Sequence, residues 1–300
     1  MFYRRKIILA LLEEFGNELS KTDFEKYLFL FSQEQIKNNL KPCYYFIPYK
    51  YGCFSPHSYF DIDFLKKNNI LSDKYRLKKI DNTIYSSQIK KEDINIIKNI
   101  YKMHNKKDTK ALINFIYKNY PYYSINSQIV NKYLSKEEIY NSKSFLLNKN
   151  KNVLFTIGYE GISFEEYLNK LIQNNIKLVI DVRKNAISMK YGFSKNILKK
   201  WLNNLNIEYE HIPQLGIDSE KRKKLNNQTD YNKLFNHYKE TTLLDNFSYI
   251  KYIYKKFIEN KRVALTCFEA LPCQCHRSIV RDAIISLDEW NILEYGVIDI

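Results

Sequence analysis

The sequence predicts an α/β fold in the C-terminal half, preceded by a mostly helical N-terminal domain. Three apolar runs of the C-terminal half end in polar side chains: VLFTIGYEG at 153–161, KLVIDVR at 177–183 and VALTCFEALPCQCHR at 263–277. Helical patterns separate the runs, and strands that alternate with helices build a mainly parallel sheet with helices on both faces. Because ligands bind beyond the carboxyl ends of such strands, we expect a functional site where the runs end.

The N-terminal domain is predicted over 1–134. Apolar residues at helical spacing predict a first helix over 5–15, a second one after the N-cap Ser20, and a third near 57–68. A hairpin with its turn at Asp-Asn is predicted within 75–85. Short helices followed by a small hairpin predict a winged-helix-like module.

A polar segment rich in Lys and Asn, 135–152, predicts the linker to an α/β domain over 153–300. The predicted strands of that domain are 153–157, 177–182, 208–211 and 262–268. The predicted helices are 163–174, 194–204, 230–239, 245–259 and one that starts near His276.

Bulk composition limits the class of protein. A length of 300 residues favours two domains, and a formal charge of +15 favours a polyanionic partner, nucleic acid or a phosphorylated nucleotide. A compositional bias towards Lys, Asn and Ile is the alternative explanation of that charge. No segment reaches the roughly 18 apolar residues of a spanning helix, so we expect a cytoplasmic protein without a membrane partner. The five cysteines are predicted to be reduced thiols.

Two strand ends offer polar groups for a phosphate-bearing substrate. Asp181 and Arg183 are two residues apart on an extended backbone, so they bind substrate together or simply pair with each other. In the FTIGYEG turn, Gly158 lets the backbone approach an anion and Tyr159 supplies a proton donor. The alternative for this segment is a tight turn that needs glycine for its conformation.

The third run places Glu269 after a strand and a Cys-His-Arg triplet before a helix. Cys275 beside His276 and Arg277 has the surroundings that lower a thiol pKa, as in a rhodanese-like sulfurtransferase or a cysteine phosphatase. In the favoured interpretation, Arg277 and the helix N-terminus hold a phosphate while His276 or Glu269 moves a proton.

A zinc site is a further interpretation of the same run. The ligand count is met, but the spacing matches none of the usual paired-ligand patterns, so no metal is predicted and the cofactor stays unknown. The ligands in that interpretation are Cys267, Cys273, Cys275 and His276.

The order of the motifs TIGYEG, DVR, FSK, YEHIPQLG and the final Cys-His-Arg cluster resembles the family called domain of unknown function 488, over about 153–287. The resemblance implies no activity. The positions that it singles out are Gly158, Tyr159, Asp181, Arg183, His211, Cys267, Glu269, Cys275, His276 and Arg277. The N-terminal half, with FIPYKYGCFSP at 46–56 and NYPYYSINS at 119–127, resembles helical, winged-helix-like modules found with mobile-element and phage-defence proteins, which implies a setting in defence.

We therefore expect a hydrolase or transferase acting on nucleic acid or a nucleotide. The catalytic candidates are Tyr159, Asp181, Glu269 and His276. The substrate- or phosphate-binding candidates are Gly158, Arg183, His211 and Arg277. A thiol role is open for Cys267 and Cys275, and the basic patch KRKK at 221–224 is placed to follow a phosphate backbone. The alternatives are a non-catalytic DNA-binding regulator or sensor of a phosphorylated ligand, and a cysteine-dependent enzyme.

Overall fold

The computed structural model describes residues 1–146, 151–222, 225, 227–292 and 296–300. The chain divides into two compact units, Met1–Phe145 and Leu146–Ile300. The larger share of the formal net charge of +15 comes from residues 1–145. Within the described residues, no helix combines the length and the apolar character needed to cross a membrane.

The first unit is mostly helical, as predicted. Its elements are α1 (Tyr3–Glu14), β1 (Glu18–Leu19), α2 (Lys21–Lys37), β2 (Ile47–Tyr49), β3 (Gly52–Phe54), α3 (Pro56–Lys67), β4 (Leu71–Ser72), β5 (Leu77–Lys79), α4 (Lys91–His104), α5 (Thr109–Asn119) and α6 (Lys136–Ser142). Strands β1, β5 and β4 form an antiparallel sheet in that order, and β2 pairs with β3 as a separate hairpin.

The predicted position of one hairpin is wrong. Leu71 pairs with Lys79, so the turn lies at 73–76 and not at Asp81. The Asp81 carboxylate accepts a hydrogen bond from the Tyr85 hydroxyl at 2.7 Å, which closes a local loop instead of a strand turn. The predicted linker at 135–152 also begins with helix α6, because Ser135 starts a capping box. Within that linker, residues 147–150 lie outside the described residues.

Asparagine takes the place of glycine at many helix ends in this glycine-poor chain. After α2 and α3, and after two helices of the second unit, an asparagine adopts a φ of 49° to 57°. The N–H of the next residue then donates to the carbonyl five residues back, which is the usual left-handed helix ending. These asparagines are Asn39, Asn69, Asn175 and Asn206. Because the motif is local, the sequence sets these ends without help from distant contacts.

The second unit alternates strands with helices, as predicted. Its elements are β6 (Val153–Gly158), α7 (Phe164–Gln173), β7 (Leu178–Asp181), α8 (Lys195–Asn204), β8 (Glu208–His211), α9 (Gln228–Tyr238), α10 (Phe247–Asn260), β9 (Arg262–Cys267), α11 (His276–Ile285) and β10 (Gly296–Asp299). The strands described form a parallel sheet in the order β10-β6-β9-β7-β8. Strand β10 was not predicted, since its exposed residues show no buried-strand pattern.

Strand β9 lies at the centre of this sheet, and helices cover both of its faces. The Tyr167 hydroxyl of α7 donates to Thr266 Oγ1 at 3.0 Å on one face. Leu265 points to the other face, where it belongs to the same apolar cluster as Ile253 of α10 and Val280 of α11. The connections that leave the adjacent strands β6 and β9 therefore run on opposite faces. A crevice opens beyond such strand ends, and the cavity of the second unit lies there.

Candidate active site

A cavity of about 330 Å³ lies beyond the carboxyl ends of β7 and β9. This volume is within the range of small-molecule sites. The predicted site residues that line it are Tyr159, Arg183, Cys267, Glu269 and His276. The structure therefore brings the ends of all three motif-bearing runs to one cavity.

The side of the cavity next to β7, here called the β7 wall, is built on the ion pair of Asp181 and Arg183. Arg183 Nε and Nη2 donate to the two carboxylate oxygens of Asp181 at 2.8 and 2.5 Å. Asp181 Oδ2 also accepts from the Tyr209 hydroxyl at 2.7 Å, and Oδ1 accepts from the backbone N–H of Arg183 at 3.1 Å. The Asp181 carboxylate is fully buried and its acceptor positions face donors of the protein itself.

The remaining guanidinium nitrogen of Arg183 is also used within the protein. Nη1 donates to the Tyr159 hydroxyl at 2.7 Å and to the Phe193 carbonyl at 3.0 Å. The Tyr159 ring stacks on Phe193 with 4.1 Å between ring centroids. Burial acts to lower the pKa of Arg183, but the hydrogen bonds and charge of Asp181 raise it above its usual value. The β7 wall is a rigid, internally satisfied surface that presents Tyr159 to the cavity.

The opposite side, here called the β9 wall, centres on Cys267 at the end of strand β9. The Cys267 thiol donates to Glu269 Oε2 at 3.3 Å, and its Sγ lies 3.8 Å from His276 Nδ1. Burial acts to raise the pKa of the Cys267 thiol. The hydrogen bond from Cys275 and the charge of Arg222 outweigh burial and hold this pKa below its usual value.

The hydrogen bonds of His276 fix its tautomer. Nε2 lies 2.8 Å from the Val182 carbonyl, which only accepts, so Nε2 carries the proton. Nδ1 is then an acceptor, and Arg222 Nη2 donates to it at 2.6 Å. The neutral imidazole therefore turns its basic nitrogen towards the Cys267 thiol and the cavity.

Arg222 bridges the β9 wall. Besides its contact with His276, its Nη1 forms an ion pair with Glu269 Oε1. The Arg222 side chain is 20% exposed, unlike the buried Arg183. The sequence marked Arg222 only as one member of the KRKK patch, of which Lys223 and Lys224 lie outside the described residues. Lys184 lines the cavity as well, and its only signal in the sequence was a basic position after the DVR motif.

Cys275 lies behind Cys267 and away from the cavity. It is fully buried, and burial raises the pKa of its thiol above the usual value. Its Sγ lies within 4.8 Å of Cys267 Sγ and of a ring nitrogen of His276, so it packs against the β9 wall. Cys273, by contrast, is exposed.

Gly158, His211 and Arg277 hold the strand ends in place. A Cβ built on Gly158 would lie 1.9 Å from the Glu269 carbonyl oxygen, so glycine lets the two strand ends meet. His211 Nε2 lies 2.8 Å from the Arg183 carbonyl, to which it donates. Arg277 is almost fully buried and donates to the carbonyls of Glu269 and Ala270.

The FTIGYEG turn directs its first N–H groups to the protein. The backbone N–H groups of Tyr159 and Glu160 donate to the Phe268 carbonyl at 3.1 and 2.9 Å. The turn is thus tied to the end of β9. Gly161 has a φ of 79°, as the tight-turn alternative expects, whereas Gly158 is required by its close approach to the Glu269 backbone.

Comparison with known proteins finds a family model that matches part of the second unit. Residues 163–284 match the model of the family described as Domain of unknown function DUF488, which confirms the resemblance seen in the motifs. The match covers less than half of the chain. No curated protein and no solved structure matches the chain significantly.

Proposed function

We propose that the second unit is a cysteine-dependent hydrolase or transferase that acts on a phosphorylated substrate, a nucleotide or a nucleic acid. The observation that carries this proposal is the arrangement of Cys267, His276 and Val182. A thiol on the cavity faces the basic nitrogen of an imidazole, and a backbone carbonyl fixes the opposite nitrogen. A nucleophile, a base and a group that orients the base are the parts that covalent catalysis requires.

The charges of the cavity support an anionic substrate. Arg222 and Lys184 both line it, whereas the charge of Arg183 is neutralised by Asp181. A phosphate group competes with Glu269 for the Arg222 guanidinium, because Arg binds both carboxylate and phosphate through paired hydrogen bonds. When Arg222 moves onto the substrate, it also leaves His276 Nδ1 free to accept a proton.

The reaction follows from these positions. His276 Nδ1 takes the proton of the Cys267 thiol, and the thiolate sulfur forms a bond to the electrophilic atom of the substrate. The bond from that atom to the leaving group breaks, and the leaving group takes the electron pair and the proton from His276. Water, or an acceptor hydroxyl in a transferase, then cleaves the bond to sulfur and restores the thiol.

The test compares thiol variants on a panel of nucleoside triphosphates and short DNA and RNA oligonucleotides, with products followed by mass spectrometry. Cys267→Ser is expected to lower turnover by about 10⁴-fold, and His276→Gln by about 100-fold. Cys273→Ser is the matched control, since this exposed thiol of the same segment should leave turnover unchanged. Full activity in Cys267→Ser would refute the proposal, and ligand binding without product would favour the sensor alternative.

A second candidate function is nucleic-acid binding by the first unit, as a winged-helix module. The supporting observation is the succession α1-β1-α2-α3-β4-β5 with the strand order β1-β5-β4, interrupted by the β2-β3 hairpin. In this arrangement, α3 enters a groove and the β4-β5 hairpin contacts the backbone. Lys74, Tyr75 and Arg76 are exposed at the turn of that hairpin, and the unit carries most of the positive charge.

Binding of the full chain to a fluorescent DNA duplex, followed by anisotropy at several salt concentrations, tests this candidate. Lys74→Glu combined with Lys78→Glu should weaken binding and reduce the salt dependence. The charge-matched pair Lys136→Glu and Lys143→Glu, on and directly after α6, should have a smaller effect. An equal loss of DNA affinity in both double variants would mean that only nonspecific attraction between the positive charge and DNA had been measured. A role in defence against mobile elements stays a prediction.

A further inference from the structure

We infer that Cys267, Cys275 and His276 form a binding site for a soft divalent cation of the Zn²⁺ class, and that the bound ion blocks the Cys267 thiol. The two sulfur atoms and one ring nitrogen all lie within 4.8 Å of one another, and all three residues are buried. Two thiolates and an imidazole are a donor set that Zn²⁺ prefers. The blocking role rests on the proposed function of Cys267, but the metal site itself does not.

The imidazole is already oriented as a metal ligand requires. Its Nε2–H donates to the Val182 carbonyl, which leaves Nδ1 as the unprotonated ring nitrogen, 3.8 Å from Cys267 Sγ. Metal-binding histidines commonly donate their other N–H to a backbone carbonyl or a carboxylate, because this fixes the ring and the tautomer.

Three protein ligands leave the fourth tetrahedral position open. Cys267 and His276 both line the cavity, so the open position faces the cavity. The Glu269 carboxylate, 3.3 Å from Cys267 Sγ, is the nearest group able to occupy or hydrogen-bond to that position. On binding, the ion displaces one proton from each thiol and none from the neutral imidazole.

Arg222 competes with the ion. Its guanidinium donates to His276 Nδ1, the atom that the metal needs, and pairs with Glu269 beside it. A cation at the site and the Arg222 cation therefore exclude each other. The site thus has two states, one with Arg222 on the imidazole and a free thiol, and one with the ion bound and the thiol blocked.

The spacing of the three ligands in the sequence does not predict this site. Cys275 and His276 are adjacent, and Cys267 is eight residues earlier, which fits no paired-ligand pattern. The ligands meet because Cys267 ends strand β9 while Cys275 and His276 begin helix α11. Cys273 was one of the four ligands in the zinc interpretation of the sequence, but it is exposed and is not part of this site. The fourth position is open to the cavity instead.

The experiment is a titration of the reduced full-length chain with Co²⁺, a spectroscopic substitute for Zn²⁺, followed by absorption and then by competition with Zn²⁺. Wild type and Cys273→Ser should bind stoichiometrically with the intense bands of tetrahedral thiolate coordination. Cys275→Ser and His276→Gln each remove a direct ligand, so each should lose more affinity than the roughly 10- to 100-fold that loss of an outer-shell partner costs. Arg222→Leu should gain roughly tenfold, because a competing charged hydrogen bond is removed and no new ligand atom is added.

Two outcomes would overturn the inference: absence of stoichiometric Co²⁺ binding in the wild type, or equal loss in Cys273→Ser and Cys275→Ser. Circular dichroism of each variant controls for folding. If Cys275→Ser unfolds, the gain in Arg222→Leu still decides, because that side chain is partly exposed at the edge of the site.

The proposed function and the metal site can be tested independently. Zn²⁺ should slow alkylation of Cys267 by iodoacetamide in the wild type and not in Cys275→Ser, whatever substrate the enzyme uses. If Cys267→Ser keeps full turnover while the wild type binds Co²⁺, the thiol mechanism is wrong and the metal site stands. If turnover depends on Cys267 but no Co²⁺ binds, the thiol mechanism stands and the metal site is wrong.

Discussion

The two walls of the cavity contain similar chemistry arranged in opposite ways. Both place a carboxylate and an arginine at the end of a parallel strand, Asp181 with Arg183 on β7 and Glu269 with Arg222 at β9. In the β7 wall the pair is buried and its hydrogen bonds end on the protein. In the β9 wall the pair is partly exposed. Its arginine donates to the His276 imidazole, and its carboxylate accepts from the Cys267 thiol. Under the proposed function, charged residues at a strand end are available to a substrate only where their hydrogen bonds can be exchanged.

The largest expected effect is loss of the β7 carboxylate. Asp181→Asn leaves the Arg183 cation buried without its counter-charge, which should lower the free energy of unfolding by about 3–5 kcal/mol. Urea denaturation measures this change. Replacing both partners, as Asp181→Leu with Arg183→Met, should recover part of the loss. If Asp181→Asn lowered the free energy of unfolding by less than about 1 kcal/mol, the β7 pair would not be the structural member of the two.

A buried carboxylate of the first unit shows what incomplete pairing does. Oε1 of Glu25 has no hydrogen-bond partner among the described residues, and Lys26 Nζ lies 3.6 Å from Oε2. Burial raises the pKa of Glu25 from 4.5 to about 7, although Lys26 opposes the rise. Asp181, which is also buried, has donors at both of its oxygens.

The protonated form of Glu25 is thus favoured by folding, so its stabilising contribution is present below pH about 4.5 and is lost as the pH rises through about 7. Relative to the variant Glu25→Gln, the wild type should lose about 3 kcal/mol over that window. Urea unfolding of both proteins at pH 5 and pH 8 measures the difference. A pH-independent difference would show that Glu25 is ionised throughout.

The contact between the β6 and β9 strand ends supplies a smaller effect. Gly158→Ala places a Cβ on the Glu269 carbonyl, which is backbone and must shift. We expect a loss of about 1–3 kcal/mol in stability, with a disturbed β9 wall. Gly296→Ala is the control, because its new Cβ meets the Val153 side chain at 3.1 Å, which yields more easily. Equal melting temperatures for both variants would contradict the close approach.

The smallest effect on stability is expected at Glu269. Glu269→Gln removes an ion pair that is partly exposed to solvent, so the free energy of unfolding should change by less than about 1 kcal/mol. Turnover should change much more than stability, because Glu269 holds Arg222 beside the cavity. A loss of stability equal to that of Asp181→Asn would show that both walls are structural.

The sequence by itself determined the local elements of this protein and the places where chemistry follows a strand. Apolar periodicity and caps such as Ser163 act within a few residues, so the strands and helices predicted for the second unit lie close to their observed ends. Strand β10 was not predicted, because it is an exposed edge strand without a run of buried apolar residues.

Tertiary structure alone decided which strand ends meet and which charges remain available. The insertion of β9 between β6 and β7 brings Cys267 to the cavity, and it depends on contacts far apart in the chain. Arg222 reaches His276 across 54 positions of sequence. Asp181 and Arg183 are two residues apart, and the sequence left open whether they serve a ligand or each other. In the folded unit each is the partner of the other, and their remaining hydrogen bonds also end on the protein, because buried charges need such partners.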